Sequence, residues 1–112
     1  FKNYLDLPIA TGGSDPSWFC FLISVKPNAH FGRKDLVDFL QKWKIDTRML
    51  FAGNILKQPA FKNIRCRIFG TLDNTEYIMN NTFFVGVYPR LTDRMLDYMI
   101  SVFRNFFKER VG

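Results

Sequence analysis

The sequence has few of the residues on which catalysis or metal binding usually depends. It contains one histidine and two cysteines in 112 residues. Cys20 and Cys66 have neither a CxxC spacing nor a neighbouring histidine, so we predict no metal site, and nothing in the sequence calls for a disulfide. His30 has no evident partner acid, and no P-loop, GxGxxG, GxSxG or HExxH motif occurs. We therefore assign no catalytic residue to this chain.

Long apolar runs are also missing. The longest, residues 18–23 and 83–88, fall far short of the roughly 20 residues that span a bilayer. The start of the chain shows no basic segment followed by an apolar run and a small-residue cleavage site. We expect a soluble, cytoplasmic protein that makes no membrane contact.

Basic charge is in excess but is not clustered. The net charge is +6, yet no more than two basic residues are adjacent and acidic residues are interleaved. This dispersion is more typical of a solvated surface, or of a face that meets a small anion, than of a nucleic-acid site. We expect no nucleic-acid partner. A stand-alone module that binds RNA or another polyanion stays open as an alternative, which a steep salt dependence of affinity would reveal.

Aromatic residues, by contrast, are abundant. Thirteen Phe, four Tyr and two Trp exceed what the core of a domain this small normally holds. Some of them must therefore lie on the surface, where contiguous apolar area usually marks contact with another chain or domain. The composition predicts that a partner surface is missing from this chain.

Local patterns divide the chain into an entry segment over 1–16, rich in Pro and Gly and predicted extended or looped, and a domain over 17–112. The domain is predicted to contain, in order, a strand over 17–26 buried on both faces, an amphipathic helix over 33–44, a short strand over 45–51, a loop over 52–62, a strand or ordered loop over 64–70, a short helix from 73 or 74 to about 80, a strand over 82–88 and a final helix capped by Thr92. The predicted buried stripe of the final helix is Leu96, Met99, Ile100, Phe103 and Phe107. The fold class is α+β, a two-layer sandwich with helices packed on a small, mainly antiparallel sheet.

One short stretch, residues 48–54, combines a cation, a ring, a glycine and a carboxamide. Arg48 offers a planar fork of donors for phosphate or carboxylate, and Asn54 can both donate to and accept from sugar hydroxyls. Phe51 adds a ring between them, and Gly53 allows close approach of the backbone to a ligand. The alternative is that Arg48 forms a surface ion pair while Leu50 and Phe51 pack in the core.

Several motifs carry a resemblance that spans essentially the whole chain. They are LPIAT over 7–11, SDPSWF over 14–19, TRMLFAGN over 47–54, QPAF over 58–61 and NNTFFVGVYP over 80–89. In this order they resemble the last domain of the DegT/DnrJ/EryC1/StrS sugar aminotransferase family. SDPSWF and TRMLFAGN look more specifically like its branch of lipopolysaccharide-biosynthesis CDP-4-keto-6-deoxyglucose 3-dehydrases. Cys20 departs from the glycine expected after Trp-Phe.

The resemblance implies a fold-type I enzyme that works as a homodimer with pyridoxamine or pyridoxal 5′-phosphate. Such a dehydrase removes the C3 hydroxyl of a CDP-bound 4-keto-6-deoxy sugar, assisted by a [2Fe–2S] cluster and a flavin/iron–sulfur reductase. The reacting groups belong to the large domain, so we expect this chain to bind no cofactor and to be inactive alone, as the C-terminal small domain. Transamination by the same scaffold stays open, because the lysine or histidine that distinguishes the two reactions lies outside this chain.

Carried over residue by residue, the resemblance implies that Arg48, Phe51 and Asn54 face the substrate. It also implies that Trp18 and Phe19 lie near the cleft. The small domain would then close over an active site whose reactive groups lie elsewhere.

Overall fold

A computed structural model describes residues 1–110, so the last two residues of the domain predicted over 17–112 lie outside the described residues. One antiparallel sheet has the strand order β1-β2-β4-β3. Its strands are β1 (Leu5–Asp6), β2 (Cys20–Val25), β3 (Thr47–Met49) and β4 (Thr82–Gly86). The helices are α1 (Arg33–Lys42), α2 (Asp73–Asn81) and α3 (Asp93–Arg110), with 3₁₀ turns at Ile55–Lys57 and Pro59–Phe61. The predicted α+β architecture is confirmed.

The core lies between one face of the sheet and the helices α1 and α3. Ile23 of β2 is paired with Phe83 of β4, and since alternate residues of a strand share a face, Val25 and Val85 lie on that same face. These side chains are between 0% and 5% exposed. The helices contribute the other half of the core, which is Leu36, Val37 and Leu40 of α1 and Val102, Phe103 and Phe106 of α3.

The first helix follows from its sequence with small differences at its end. Asp35 in the first turn accepts a hydrogen bond from the backbone N–H of Gly32 at 2.8 Å, which satisfies one of the free donors at the helix start. The helix ends at Lys42, two residues before the predicted end, because Lys44 adopts a left-handed conformation with φ of 61°. That turn brings Ile45 into the core at 6% exposure.

The entry segment contains a strand that its Pro and Gly content did not predict. Leu5 pairs with Val25 at the edge of the sheet and is only 3% exposed. The backbone N–H of Lys26 donates to the carbonyl of Tyr4 at 2.9 Å and extends this pairing. Residues 1–16 are therefore partly built into the sheet, and their use as a linker stays a prediction.

The segment between β3 and α2 is mostly irregular. The strand predicted over 45–51 is confined to Thr47–Met49, and two 3₁₀ turns occupy the loop predicted over 52–62. Residues 64–70 form an exposed loop without a strand, which agrees with the second of the two predicted alternatives. The alternation of apolar and basic residues there does not lead to strand pairing within residues 1–110.

The final helix begins as predicted but buries a different stripe. Thr92 Oγ1 accepts a hydrogen bond from the N–H of Met95 at 3.3 Å, so the predicted cap is confirmed. The predicted burial of Leu96 and Ile100 is wrong, since they are 41% and 42% exposed. The reason is that the core contacts lie in the second half of the helix, at Val102, Phe103 and Phe106.

The prediction that β2 is buried on both faces is also wrong for the described chain. Phe21 is 39% exposed, and Leu22 and Ser24 are only half-buried. Within residues 1–110, α1 and α3 pack on one face of the sheet. They leave Phe21 exposed on that face, and they do not reach the second face. The open part of the second face holds most of the predicted site residues.

Candidate functional site

The face of the sheet that points away from α1 and α3 is called here the open face. Arg48 of β3 lies beside Phe84 of β4, so alternation along the strands puts both on this face. Ser24 of β2 and Thr82 of β4 also lie on this face, two residues from Leu22 and Phe84, and their hydroxyl oxygens are 2.7 Å apart. The open face therefore brings a cation and an aromatic ring together across two strands.

Three rings form a cluster on the open face, called here the aromatic triangle. Phe19, Phe51 and Phe84 have ring centroids separated by 6.1, 6.2 and 6.3 Å. Phe19 is 75% exposed and Phe51 is 73% exposed, so much of their ring surface meets solvent. Aromatic rings exposed in this manner can stack against a planar ligand.

Arg48 is available to an incoming anion. One of its Nη atoms lies 3.0 Å from Asp46 Oδ1 and 3.2 Å from the carbonyl oxygen of Thr47. The side chains of Arg48 and Asp46 are 67% and 74% exposed, and ion pairs this open contribute only about 0–1 kcal/mol. Arg48 thus forms the surface ion pair of the alternative interpretation, and that pair is weak enough to exchange for a phosphate.

Phe51 occupies a strained turn at the end of β3. Its φ is 41°, in the left-handed region that a bulky side chain disfavours. Its N–H donates to the carbonyl of Met49 at 2.8 Å, which closes the turn tightly. Such conformations cost on the order of 1–3 kcal/mol and concentrate at functional sites. The packing in the core proposed as an alternative for Phe51 does not occur, since its ring lies on the open face.

Gly53 is required by both its conformation and its surroundings. Its φ is 63°, and a Cβ added there would lie 2.6 Å from Met79 Cγ of α2. Residues other than glycine would clash with that side chain in addition to straining the backbone. In the described chain, glycine at position 53 allows the backbone to approach α2 closely, and not a ligand as predicted.

Asn54 has its carboxamide engaged within the chain. Its Oδ1 accepts from the N–H of Leu56 at 3.0 Å, and its Nδ2 donates to Glu76 Oε1 at 2.5 Å. The side chain caps the first 3₁₀ turn and is only 6% exposed. In this arrangement Asn54 ties the 3₁₀ turn at Ile55–Lys57 to α2.

Glu76 of α2 holds the same turn from the other side. Its second oxygen accepts from Lys57 Nζ at 2.5 Å, and the hydrogen bonds from Lys57 and Asn54 lower the pKa of the Glu76 carboxyl below its ordinary value. Gln58 Nε2 donates to the carbonyl of Ala52 at 2.6 Å and closes the loop on itself. The loop after β3 is therefore ordered by α2, although α2 contributes no buried residue of its own.

Trp18 lies apart from the other predicted site residues. Trp18 lines a groove together with Phe21 and Tyr88, because the chain bends at Phe19 and the alternation of β2 does not continue before Cys20. This groove lies between the sheet and the first half of α3 and has a volume of about 650 Å³. The structure thus brings Arg48, Phe51 and Phe19 together and separates Trp18 from them.

Two residues of the site escaped the sequence analysis. Phe84 lies in a predicted strand, and the alternation with buried Phe83 was the signal that could have placed it on the opposite face. Glu76 is separated from Asn54 by 22 residues, and no local pattern connects the two. Long-range contacts of this kind are invisible to periodicity.

The lysines, the histidine and the cysteines of residues 1–110 differ in their exposure. None of the lysines in residues 1–110 is buried, and His30 is exposed. Cys20 is buried, whereas Cys66 is exposed, and both are free thiols. Among the helices of residues 1–110, none combines the length and the apolar composition that crossing a bilayer requires.

Known proteins are similar to this chain in sequence and in fold. The chain is 52% identical over 105 residues to the lipopolysaccharide biosynthesis protein RfbH of Salmonella typhimurium, which covers 94% of this chain and 24% of that protein. It is 48% identical over 100 residues to a dTDP-4-dehydro-2,6-dideoxy-D-glucose 3-dehydratase of Saccharopolyspora spinosa, covering 89% of this chain and 22% of that protein. The chain thus spans about a quarter of the length of the relatives it matches.

A solved structure and a family match agree with these relatives. The structure of Escherichia coli GDP-4-keto-6-deoxy-D-mannose-3-dehydratase with bound hydrated PLP superposes with a TM-score of 0.78 at 33% identity, covering 88% of this chain and 25% of that one. Residues 3–104 match the DegT/DnrJ/EryC1/StrS aminotransferase family. The chain therefore belongs to the DegT/DnrJ/EryC1/StrS aminotransferase family.

Proposed function

We propose that this chain is the C-terminal small domain of a pyridoxal- or pyridoxamine-phosphate-dependent nucleotide-sugar 3-dehydratase. The observation that carries the proposal is the identity to relatives whose names state this reaction, at 48% and 34%. The 52% identical relative is a lipopolysaccharide biosynthesis protein, which favours a role in making a deoxygenated sugar for that polymer. The reacting groups are assigned to the part of the enzyme that lies outside this chain.

The contribution of this domain is to bind and enclose the nucleotide sugar with its open face. Arg48 is placed to pair with a phosphate, and a guanidinium–phosphate contact can use two parallel hydrogen bonds. The aromatic triangle is placed to stack on a planar ring, a contact that tolerates different bases. Such tolerance fits relatives that act on dTDP- and GDP-linked sugars. Asn54 contributes in this proposal by tying the 3₁₀ turn at Ile55–Lys57, on the same loop as Phe51, to α2.

The finer features belong to the same proposal. The substrate is a CDP-linked 4-keto-6-deoxy sugar, the full-length enzyme is a homodimer, and a [2Fe–2S] cluster with a flavin/iron–sulfur reductase supplies electrons. Of these features, the CDP-linked sugar is the one that Arg48 and the aromatic triangle would contact. Trp18 lies near the cleft in this proposal but on the groove side of the sheet rather than beside Phe19.

Transamination of the sugar by the same scaffold is the second candidate. It is favoured by the name of the family, which is an aminotransferase family. Mass spectrometry of the product separates the two reactions. Dehydration removes the C3 hydroxyl from the sugar, whereas transamination leaves it and adds an amine.

The binding role is tested in the full-length enzyme with Arg48→Ala. Losing a hydrogen bond to a charged group costs about 1.5–3 kcal/mol, so KM for the nucleotide sugar is expected to rise roughly 10- to 100-fold. Arg65→Ala is the matched control, because Arg65 is an exposed arginine in the irregular loop after β3. An unchanged KM for Arg48→Ala, or an equal rise for both variants, contradicts the assignment.

A further inference from the structure

The groove between the sheet and the first half of α3, called here the α3 groove, is an unfilled part of the core. It has a volume of about 650 Å³, and none of its lining residues is charged. Trp18, Phe21 and Ile100 line it, and they are 43%, 39% and 42% exposed. An apolar surface of this kind is typical of a contact with another protein segment.

The residues of α3 and β2 at this surface follow the apolar pattern of buried elements. The 3.6-residue period of α3 places Leu96 and Ile100 in line with Phe103, which is 8% exposed. The helix is therefore apolar on this side for longer than the described chain can cover it. Phe21 repeats the mismatch on β2, whose continuous apolar pattern is typical of a strand covered on both faces. The missing cover thus has to contact both α3 and β2.

Two observations indicate which segment provides the cover. The relatives extend over about four times the matched length, so three quarters of such a protein lie outside the matched region. Phe1 also lines the α3 groove, and its ring lies 6.2 Å from that of Phe103 and 4.9 Å from that of Phe107. A segment that precedes Phe1 in a longer protein would enter beside the groove and reach it at little entropic cost.

We propose that the α3 groove is the seat of an apolar segment from the rest of the same polypeptide, N-terminal to Phe1. The inference rests on the proposed function only in taking the rest of the enzyme to precede this domain. The segment presents apolar side chains to Trp18, Phe21 and Ile100 and leaves the open face free for substrate. One face of the sheet then joins the domain to the enzyme, and the other faces the nucleotide sugar.

Hydroxyl-radical footprinting of the full-length protein tests this proposal without any substitution. Trp18 and Trp43 are matched probes, being 43% and 44% exposed, and Trp43 lies outside the α3 groove. Labelling of Trp18 is expected to fall at least five-fold below that of Trp43 and to be independent of protein concentration. Equal labelling of the two tryptophans overturns the proposal. Protection of Trp18 that appears only as concentration rises also overturns it, because the occupant is then a second copy of the chain.

A variant pair provides an independent readout. Ile100→Glu in the full-length protein is expected to increase the rate of proteolysis within residues 1–16, because a charge in the groove displaces the segment. Ile68→Glu is the control, since Ile68 is 57% exposed on the irregular loop. Equal rates for the two variants contradict the proposal. Protection of Trp18 in an enzyme whose KM is insensitive to Arg48→Ala would sustain this inference while removing the proposed substrate contact.

Discussion

The two faces of one small sheet are built from the same kinds of side chain but differ in what covers them. Phe83 and Phe84 are neighbours in β4, yet Phe83 is fully buried against α1 and α3, whereas Phe84 supports the exposed rings of Phe19 and Phe51. Burial of apolar side chains on the covered face stabilises the folded domain. The open face keeps aromatic surface, an arginine and a strained turn in contact with solvent. Aromatic content alone does not distinguish a core from a site; the parity of the strand does.

The largest expected effect is the difference between Phe83→Ala and Phe84→Ala. Removing a fully buried Phe costs about 3–5 kcal/mol, because it forfeits apolar burial and leaves a cavity. Phe84→Ala is expected to cost less than half as much, because its ring is only partly covered. Urea unfolding of both variants measures the difference. Equal losses of the free energy of unfolding would show that the two faces are not distinct.

The second effect is expected at Gly53. Gly53→Ala forces a Cβ to within 2.6 Å of Met79 Cγ at a φ of 63°, so the loop has to shift or the chain has to lose stability. We expect a loss of about 1–2 kcal/mol, together with a raised KM in the full-length enzyme. Gly12→Ala is the control, since nothing lies within 4 Å of a Cβ there. Equal stability and equal KM of the two variants would contradict the requirement for glycine at position 53.

A pH-dependent effect is expected at Glu76. The hydrogen bonds from Lys57 and Asn54 lower its pKa in the folded state, so ionised Glu76 contributes stability at pH values above its ordinary pKa near 4.5. That contribution is lost as the pH falls below 4.5 through the lower folded pKa. The stability difference between wild type and Glu76→Gln should therefore be present at pH 6 and shrink toward pH 3, as followed by thermal unfolding. A difference that stays constant over this range would contradict the linkage.

The smallest effect on stability, and a large one on function, is expected at Phe51. Phe51→Gly relieves the strain of a φ of 41° and removes a ring that is 73% exposed, so the free energy of unfolding should change by less than about 1 kcal/mol. In the full-length enzyme the same variant should raise KM for the nucleotide sugar. Phe61→Gly serves as a comparison on the same loop, since Phe61 lies outside the aromatic triangle. Loss of stability without a change of KM would assign Phe51 to the core.

Much of the fold could be predicted from local pattern. The periodicity of α1 and the cap at Thr92 depend on neighbouring residues, and both lead to the observed elements. The burial of Leu96 and Ile100 was predicted from the same kind of pattern and is not observed, because burial also needs a partner surface. These errors are informative, since both residues line the α3 groove.

The site was less predictable than the fold. Arg48 and Phe51 were selected as candidates because they are close in sequence and carry suitable chemistry. The engagement of Asn54 with Glu76 depends on a contact across 22 residues, and the position of Trp18 depends on how the chain before β2 is turned. Such arrangements are set by tertiary packing, and the periodicity of apolar residues along a single sequence does not reveal them.

Hydrogen–deuterium exchange of the full-length enzyme tests most directly whether the open face meets the nucleotide sugar. With saturating nucleotide sugar, the amides of residues 50–54 are expected to exchange more slowly, while the exposed loop over 64–70 stays unchanged. Unaltered exchange at residues 50–54 in an enzyme that is fully occupied by substrate would contradict the assignment of the open face as the binding surface.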